Sequence, residues 1–225
     1  MTTLTFLGQS AVLLESGGTN LLVDPFLTGN PKATVSADEV PADLILLTHG
    51  HGDHLGDAVA IAKRTGAPVV AIVEVAGELA EEGIDVVDLN LGGTHEFDGG
   101  WARLVPAWHT GLTPKGTPHT PGGLVINLGG KTIYHLGDTA LFSDLALPSK
   151  RDALDLALIP IGGHYTMDRH DAVEAARLVA APHVVPVHYD TFPPIEADAG
   201  AFKQDVEDAG IAKVTVLAPD GSIEV

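Results

Sequence analysis

The sequence predicts an α+β fold: two β-sheets packed face to face and covered outside by helices, a four-layer αββα sandwich formed by one domain over residues 1–225. Two observations predict it. Short apolar strands with helix-like stretches among them occur in both halves of the chain, and each half contains a glycine-turned hairpin that runs out to an aspartate. No linker-like or low-complexity segment divides the chain, and apolar residues make up 45% of it, enough for a self-sufficient core.

The first half begins as a β-meander. Residues 4–7, 11–14 and 21–23 are short apolar strands, and Gly17-Gly18 turns the last two into a hairpin. Residues 43–47 read as a strand apolar on both faces, hence central in its sheet. Helix-like stretches around 55–64 and 75–82 flank a buried strand at 69–73, and Gly66-Ala67-Pro68 punctuates the first of them. A strand at 104–107 follows. Residues 124–128, Gly129-Gly130 and 132–136 then form a second hairpin, which ends at Asp138 much as the first ends at Asp24. A strand at 156–161 precedes a helix over 169–180, with Asp168 as its N-cap and Ala172, Ala176 and Val179 as its core-facing stripe. A strand at 184–187, a helix at 199–209 and a last strand at 214–217 complete the chain.

Composition excludes several chemistries. With no cysteine there are no disulfides, thiolate metal sites or cysteine nucleophiles, so any metal site depends on histidine and carboxylate. Twelve basic residues stand against 30 acidic ones, a net charge of −18, and the basic residues are scattered from Lys32 to Lys213. Long nucleic acid, which needs clustered Lys and Arg, is not an expected partner; a small-molecule substrate is. Homo-oligomerisation is left open. The apolar runs are far too short for a membrane span, and residues 1–10 lack the marks of a signal peptide, so the expected location is cytoplasmic.

The sharpest signal is Thr48-His49-Gly50-His51-Gly52-Asp53-His54, directly after the apolar residues 44–47. In extended or looping backbone His49 and His51 project to the same side. The intervening glycines let the chain turn tightly, so Asp53 and His54 can approach from another direction. One metal cannot comfortably take all four from so short a segment; two adjacent metals can. Three further candidates follow strand exits: His109 after 104–107, Asp138 after 132–136 and His188 after 184–187. Such exits gather at one sheet edge, where loops converge on a ligand.

The His-x-His-x-Asp-His segment with a later His, Asp and His resembles the metallo-β-lactamase superfamily, whose fold is the αββα sandwich. The resemblance spans nearly the whole chain. Val23-Asp24-Pro25-Phe26-Leu27-Thr28-Gly29-Asn30-Pro31, Pro160-Ile161-Gly162-Gly163, Tyr165-Thr166-Met167 and Pro186-Val187-His188-Tyr189 resemble, within it, a family of stand-alone metal-dependent hydrolases distantly similar to the ascorbate-phosphate lactonases. The resemblance implies one metal on His49, His51 and His109, a second on Asp53, His54 and His188, and Asp138 bridging both. It disfavours diiron redox chemistry, because His51 stands where the flavodiiron oxygen reductases have Glu.

Two divalent ions in nitrogen and oxygen ligands suit Zn²⁺, and also Mn²⁺, Fe²⁺ or Ni²⁺. The expected activity is hydrolysis of a small ester, lactone, thioester or phosphoester by a metal-activated hydroxide. The alternatives are a small-nucleotide phosphodiesterase and a non-catalytic metal-binding or ligand-sensing protein. Asp53 and His164 are the catalytic candidates; His164 follows the strand at 156–161 on the ligand edge. His119 lies in the Pro- and Gly-rich stretch 111–122, a candidate wall or lid. Asp24 is either a turn residue before Pro25 or a holder of a metal-bound histidine. His95, His135, His170 and His183 are expected to be structural or surface residues, and Trp108 to line the pocket or the core.

Overall fold

A computed structural model describes residues 1–225. The first sheet is built from β1 (Thr2–Gly8), β2 (Ala11–Ser16), β3 (Thr19–Val23), β4 (Leu44–Leu46), β5 (Val69–Ile72) and β6 (Val86–Leu89), with helices α1 (Gly52–Leu55), α2 (Ala58–Thr65) and α3 (Val73–Ala80) between the later strands. The second sheet begins with β7 (Thr94–Phe97), β8 (Gly100–Pro106), β9 (Gly122–Leu128) and β10 (Lys131–His135). After α4 (Leu147–Arg151) it continues through β11 (Leu156–Pro160), α5 (Arg169–Val179), β12 (His183–Val187), α6 (Ala199–Asp208) and β13 (Lys213–Val214), and β14 (Ser222–Glu224) returns to the first sheet. The strand orders are β14-β1-β2-β3-β4-β5-β6 and β13-β12-β11-β10-β9-β8-β7.

Both sheets change from antiparallel to parallel pairing part-way across. β1 to β3 and β7 to β10 pair antiparallel, whereas β3 to β6 and β10 to β13 run parallel. Parallel neighbours need crossover connections, and most of the helices are supplied there. Side-chain alternation sorts the second sheet. Leu124, Ile126, Ile133, Leu156, Leu158 and Val185 join the first sheet's Leu4, Leu14 and Leu21 in one buried cluster between the sheets. The alternate positions Val125, Tyr134, Ala157, Ile159 and Val184 form a second cluster with Ala172, Ala176 and Phe202 of the outer helices. The αββα sandwich follows from these two faces.

The helix expected over 55–64 is two helices. Gly56, at φ 42°, ends α1, and the Asp57 carboxylate accepts from the backbone N–H groups of Leu27 and Thr28 at 2.9 and 2.7 Å before α2 starts. Asp168 caps α5 as expected, accepting from the N–H groups of His170 and Asp171. The final strand ends at Val214 and does not continue to 217; β6, β7, β14 and α4 are additional elements. No helix is long and apolar enough to cross a membrane.

Candidate metal centre

The exits of β4, β8, β10 and β12 converge on one cluster. Ligand-type atoms of His49, His51, His109 and Asp138 all lie within 4.8 Å of one another, and so do those of Asp53, His54 and His188. Asp138 touches both groups. Its carboxylate oxygens stand 4.0 Å from His49 Nε2, 3.6 Å from His109 Nε2, 3.3 Å from His54 Nε2 and 3.1 Å from His188 Nε2. His49 Nε2 and His51 Nδ1 face each other at 3.0 Å.

The rings are aimed from behind by Asp24. Buried and held at φ 46°, it accepts from Thr48 N at 2.8 Å, from Thr48 Oγ1 at 2.6 Å and from His54 Nδ1 at 2.7 Å. Because the Thr48 hydroxyl donates to Asp24, it accepts from His49 Nδ1 at 3.0 Å. Both imidazoles therefore carry their proton on Nδ1 and turn Nε2 toward the cluster, the arrangement that orients metal-binding histidines. Of the two roles expected for Asp24, it fills the one that holds a site histidine.

Behind the His49-Gly50-His51 turn stands His119. Its Nε2 accepts from Gly50 N at 2.9 Å while Nδ1 donates to Thr117 O at 3.2 Å. A Cβ at position 50 would lie 2.8 Å from Thr113 Cγ2 and 3.0 Å from both His119 Cε1 and Val75 Cγ2, so glycine is required for this close approach. The 111–122 stretch is a buttress behind the cluster, not a lid over it, and His119 does not line the cavity. His135 is structural: its Nε2 donates to Ser10 O and its Nδ1 accepts from Gly137 N.

Gln9 is a site residue that no motif or spacing marks. Its backbone sits at φ 56°, its O accepts from His188 N at 2.7 Å, and its Nε2 donates to Asp53 Oδ2 at 2.9 Å. One buried residue thus holds two members of the Asp53, His54, His188 group, His188 through its backbone carbonyl and Asp53 through its side chain, from a position 40 or more residues away in sequence.

The electrostatics divide the cluster. Burial pulls His49 well below its ordinary value, reinforced by His54, and burial likewise lowers His51 and His109. Burial also opposes protonation of His188, yet the carboxylates of Asp138 and Asp53 outweigh it and hold that imidazole at about 9. His54 is raised in the same way by Asp138 and Asp24. Burial opposes ionisation of Asp138, but His188 and His54 keep its carboxyl well below the usual range. His54 Nε2, Asp138 Oδ1 and both nitrogens of His188 are buried without a well-aligned hydrogen-bond partner, although Asp138 stands 3.3 Å from His54 Nε2 and 3.1 Å from His188 Nε2. Each such atom left unmatched costs about 1–3 kcal/mol. A cation accepting the lone pairs of His54 Nε2, His188 Nε2 and Asp138 Oδ1 removes their cost, and the all-nitrogen-and-oxygen donor set fits divalent ions.

A cavity of about 550 Å³ opens onto the cluster, lined by His51, Asp53, His109, Asp138 and His188 together with Tyr165 and Phe192. His164 is exposed at φ 29°, outside this cavity, in an adjoining groove with Trp108 and Tyr165. It shares no hydrogen bond with the seven clustered residues.

The comparisons agree with this architecture. A family model described as a beta-lactamase superfamily domain matches residues 3–188. A metal-dependent hydrolase of the UPF0173 family from Thermus thermophilus is 52% identical over 212 residues, covering 94% of each chain. A second from Pelotomaculum thermopropionicum is 48% identical over 226 residues, 98% of this chain and 99% of its own. Among solved structures, Igni18, a metallo hydrolase from the archaeon Ignicoccus hospitalis, superimposes with a TM-score of 0.92 at 39% identity, over 100% of this chain and 99% of that one.

Proposed function

This chain belongs to the beta-lactamase superfamily, among its UPF0173 metal-dependent hydrolases, and we propose that it hydrolyses a small ester, lactone, thioester or phosphoester at a dinuclear site. The observation that carries the reading is the position of Asp138, whose carboxylate lies within 4.0 Å of ring nitrogens from both ligand groups. His49, His51 and His109 would hold one cation; Asp53, His54 and His188 the other; Asp138 both. Zn²⁺ is the favoured ion, with Mn²⁺, Fe²⁺ and Ni²⁺ compatible with the same donors. When bound, the pair supplies a hydroxide at neutral pH and Lewis acidity toward the carbonyl or phosphoryl oxygen.

The chain's own groups do the rest. Asp24 and Thr48 keep the His49 and His54 rings turned inward, so no reorganisation accompanies the reaction. Asp53, partly exposed to the cavity and fixed by Gln9, can hold the attacking water through its carboxylate. His164 sits where it can position the distal part of a substrate, in the groove that shares His109, Thr110 and Tyr165 with the main cavity.

The test is a panel of small esters, lactones, thioesters and phosphodiesters offered to protein reconstituted with Zn²⁺ or Mn²⁺. Turnover lost on chelation is expected. Stoichiometric metal binding with no turnover of any class would move the chain to a binding or sensing role, and preference for nucleotide diesters would select the phosphodiesterase reading.

A further inference from the structure

The rim of the site carries a second message, in the residues it exposes and the charges it omits. Of two tryptophans, three tyrosines and six phenylalanines, only Trp108 and Tyr165 are exposed, at 68% and 55%. Both stand at the mouth: Tyr165 lines the main cavity, and both line the adjoining open groove of about 660 Å³. Exposed aromatic faces concentrated in one place mark a contact surface, whereas scattered ones mean little.

Neither ring is loosely hung. The Trp108 N–H donates to Thr139 Oγ1 at 3.0 Å and its carbonyl accepts from Ala140 N at 3.0 Å, which ties its backbone to the loop carrying Asp138. Its indole stacks on Phe142, with centroids 5.9 Å apart and planes at 19°. Tyr165 packs edge-on to His164 at 4.5 Å, inside a turn closed by Gly163 N donating to Met167 O. Rigid aromatic walls of this kind bind flat apolar bodies with little ordering entropy.

The charge pattern narrows the ligand. All twelve lysines and arginines lie outside both cavities. Beyond the cations themselves, no lysine or arginine there can pair with an anion on the distal part of a substrate. A carboxylate or phosphate on the distal part of a substrate would meet aromatic faces there and no lysine or arginine to pair with.

Deepening the hydrolase reading on which this rests, we infer that the natural substrate carries an uncharged, flat or aromatic body beside its scissile bond, held against Tyr165 and Trp108. Anionic metabolites with a distal phosphate or carboxylate are rejected.

Phenyl acetate, 4-acetoxybenzoate and methyl acetate, compared with Zn²⁺-loaded protein, test this, each rate being scaled to its alkaline hydrolysis. Phenyl acetate is expected to exceed 4-acetoxybenzoate in scaled kcat/KM by about tenfold or more, and Trp108→Ala or Tyr165→Ala to lower the phenyl-to-methyl ratio by about 3–10-fold. Equal rates for the charged and neutral aryl esters, or an unchanged ratio in both variants, would overturn the inference. If none of the three esters is turned over, the ester branch of the hydrolase reading fails separately. Titration with 2-naphthol then decides the wall: a saturable shift of the Trp108 indole N–H resonance, lost in Tyr165→Ala, supports it, and no shift overturns it.

Discussion

Asp138 and His109 occupy different places in the same cluster, and substitution should separate them. Asp138→Ala removes the carboxylate shared by four imidazoles, so metal analysis should find both sites impaired; His109→Ala should weaken one site and leave the other filled. Equal stoichiometric loss in both variants would contradict the shared role of Asp138. Gln9 acts through its neighbours. Gln9→Ala deletes the 2.9 Å bond to Asp53, and affinity at the Asp53, His54, His188 group should drop about 10–100-fold while the other group keeps its own. Competition against a chelator measures both constants, and an unchanged second constant would remove Gln9 from this role. The clustered residues were legible in sequence because four of them fall within six positions and three follow apolar strands. Gln9 was not, since an amide between two strands carries no spacing signal, and its contact depends on a backbone turned to φ 56°.

At the scale of elements, the loops after β11 and β12 meet at Gly162. A Cβ there would stand 2.2 Å from His188 O, with backbone on the receiving side that cannot swing away. Gly162→Ala should push the β12 exit outward, destabilise the protein by about 1–3 kcal/mol and reduce metal bound by His188. A melting curve and a metal assay check the two effects, and full metal content at native stability would show that the exit is soft. The central strands and the long helices were readable because burial on both faces or an amphipathic stripe marks them. Edge elements were not. β6 spans only Val86–Leu89 with no residue fully buried, β7 alternates exposed and half-buried positions over Thr94–Phe97, and β14 is three residues long. Their pairing is set by the neighbouring strand, not by their own apolar pattern. The segment 214–217 shows the converse error: Leu217 is buried, yet it packs on the core beyond the end of β13 without strand pairing.

For the whole molecule, metal is expected to act as a stabilising ligand whose effect depends on pH. Binding confined to the folded state adds about 2.7 kcal/mol per site at a hundredfold excess over Kd. In a chain of this length each kcal/mol shifts Tm by about 2–4 °C, so one filled site should raise it by about 5–10 °C. The chelated protein titrates in two directions. His188, held at about 9 by Asp138 and Asp53 against the opposing effect of burial, stabilises the fold fully below its ordinary 6.5, and that contribution is lost as pH rises toward 9. His49, His51 and His109 are lowered chiefly by burial, so their contribution is present above 6.5 and is lost as pH falls below it. Chelated protein should therefore be most stable near pH 6.5. A cation needs His188 without its proton, which the loaded form has already released. The Tm increment on loading should widen between pH 6.5 and 9, as the chelated form weakens and the loaded form does not. Melting curves with Zn²⁺ and with chelator across this range measure that increment. An increment independent of pH would mean that His188 is not exchanging a proton for a metal.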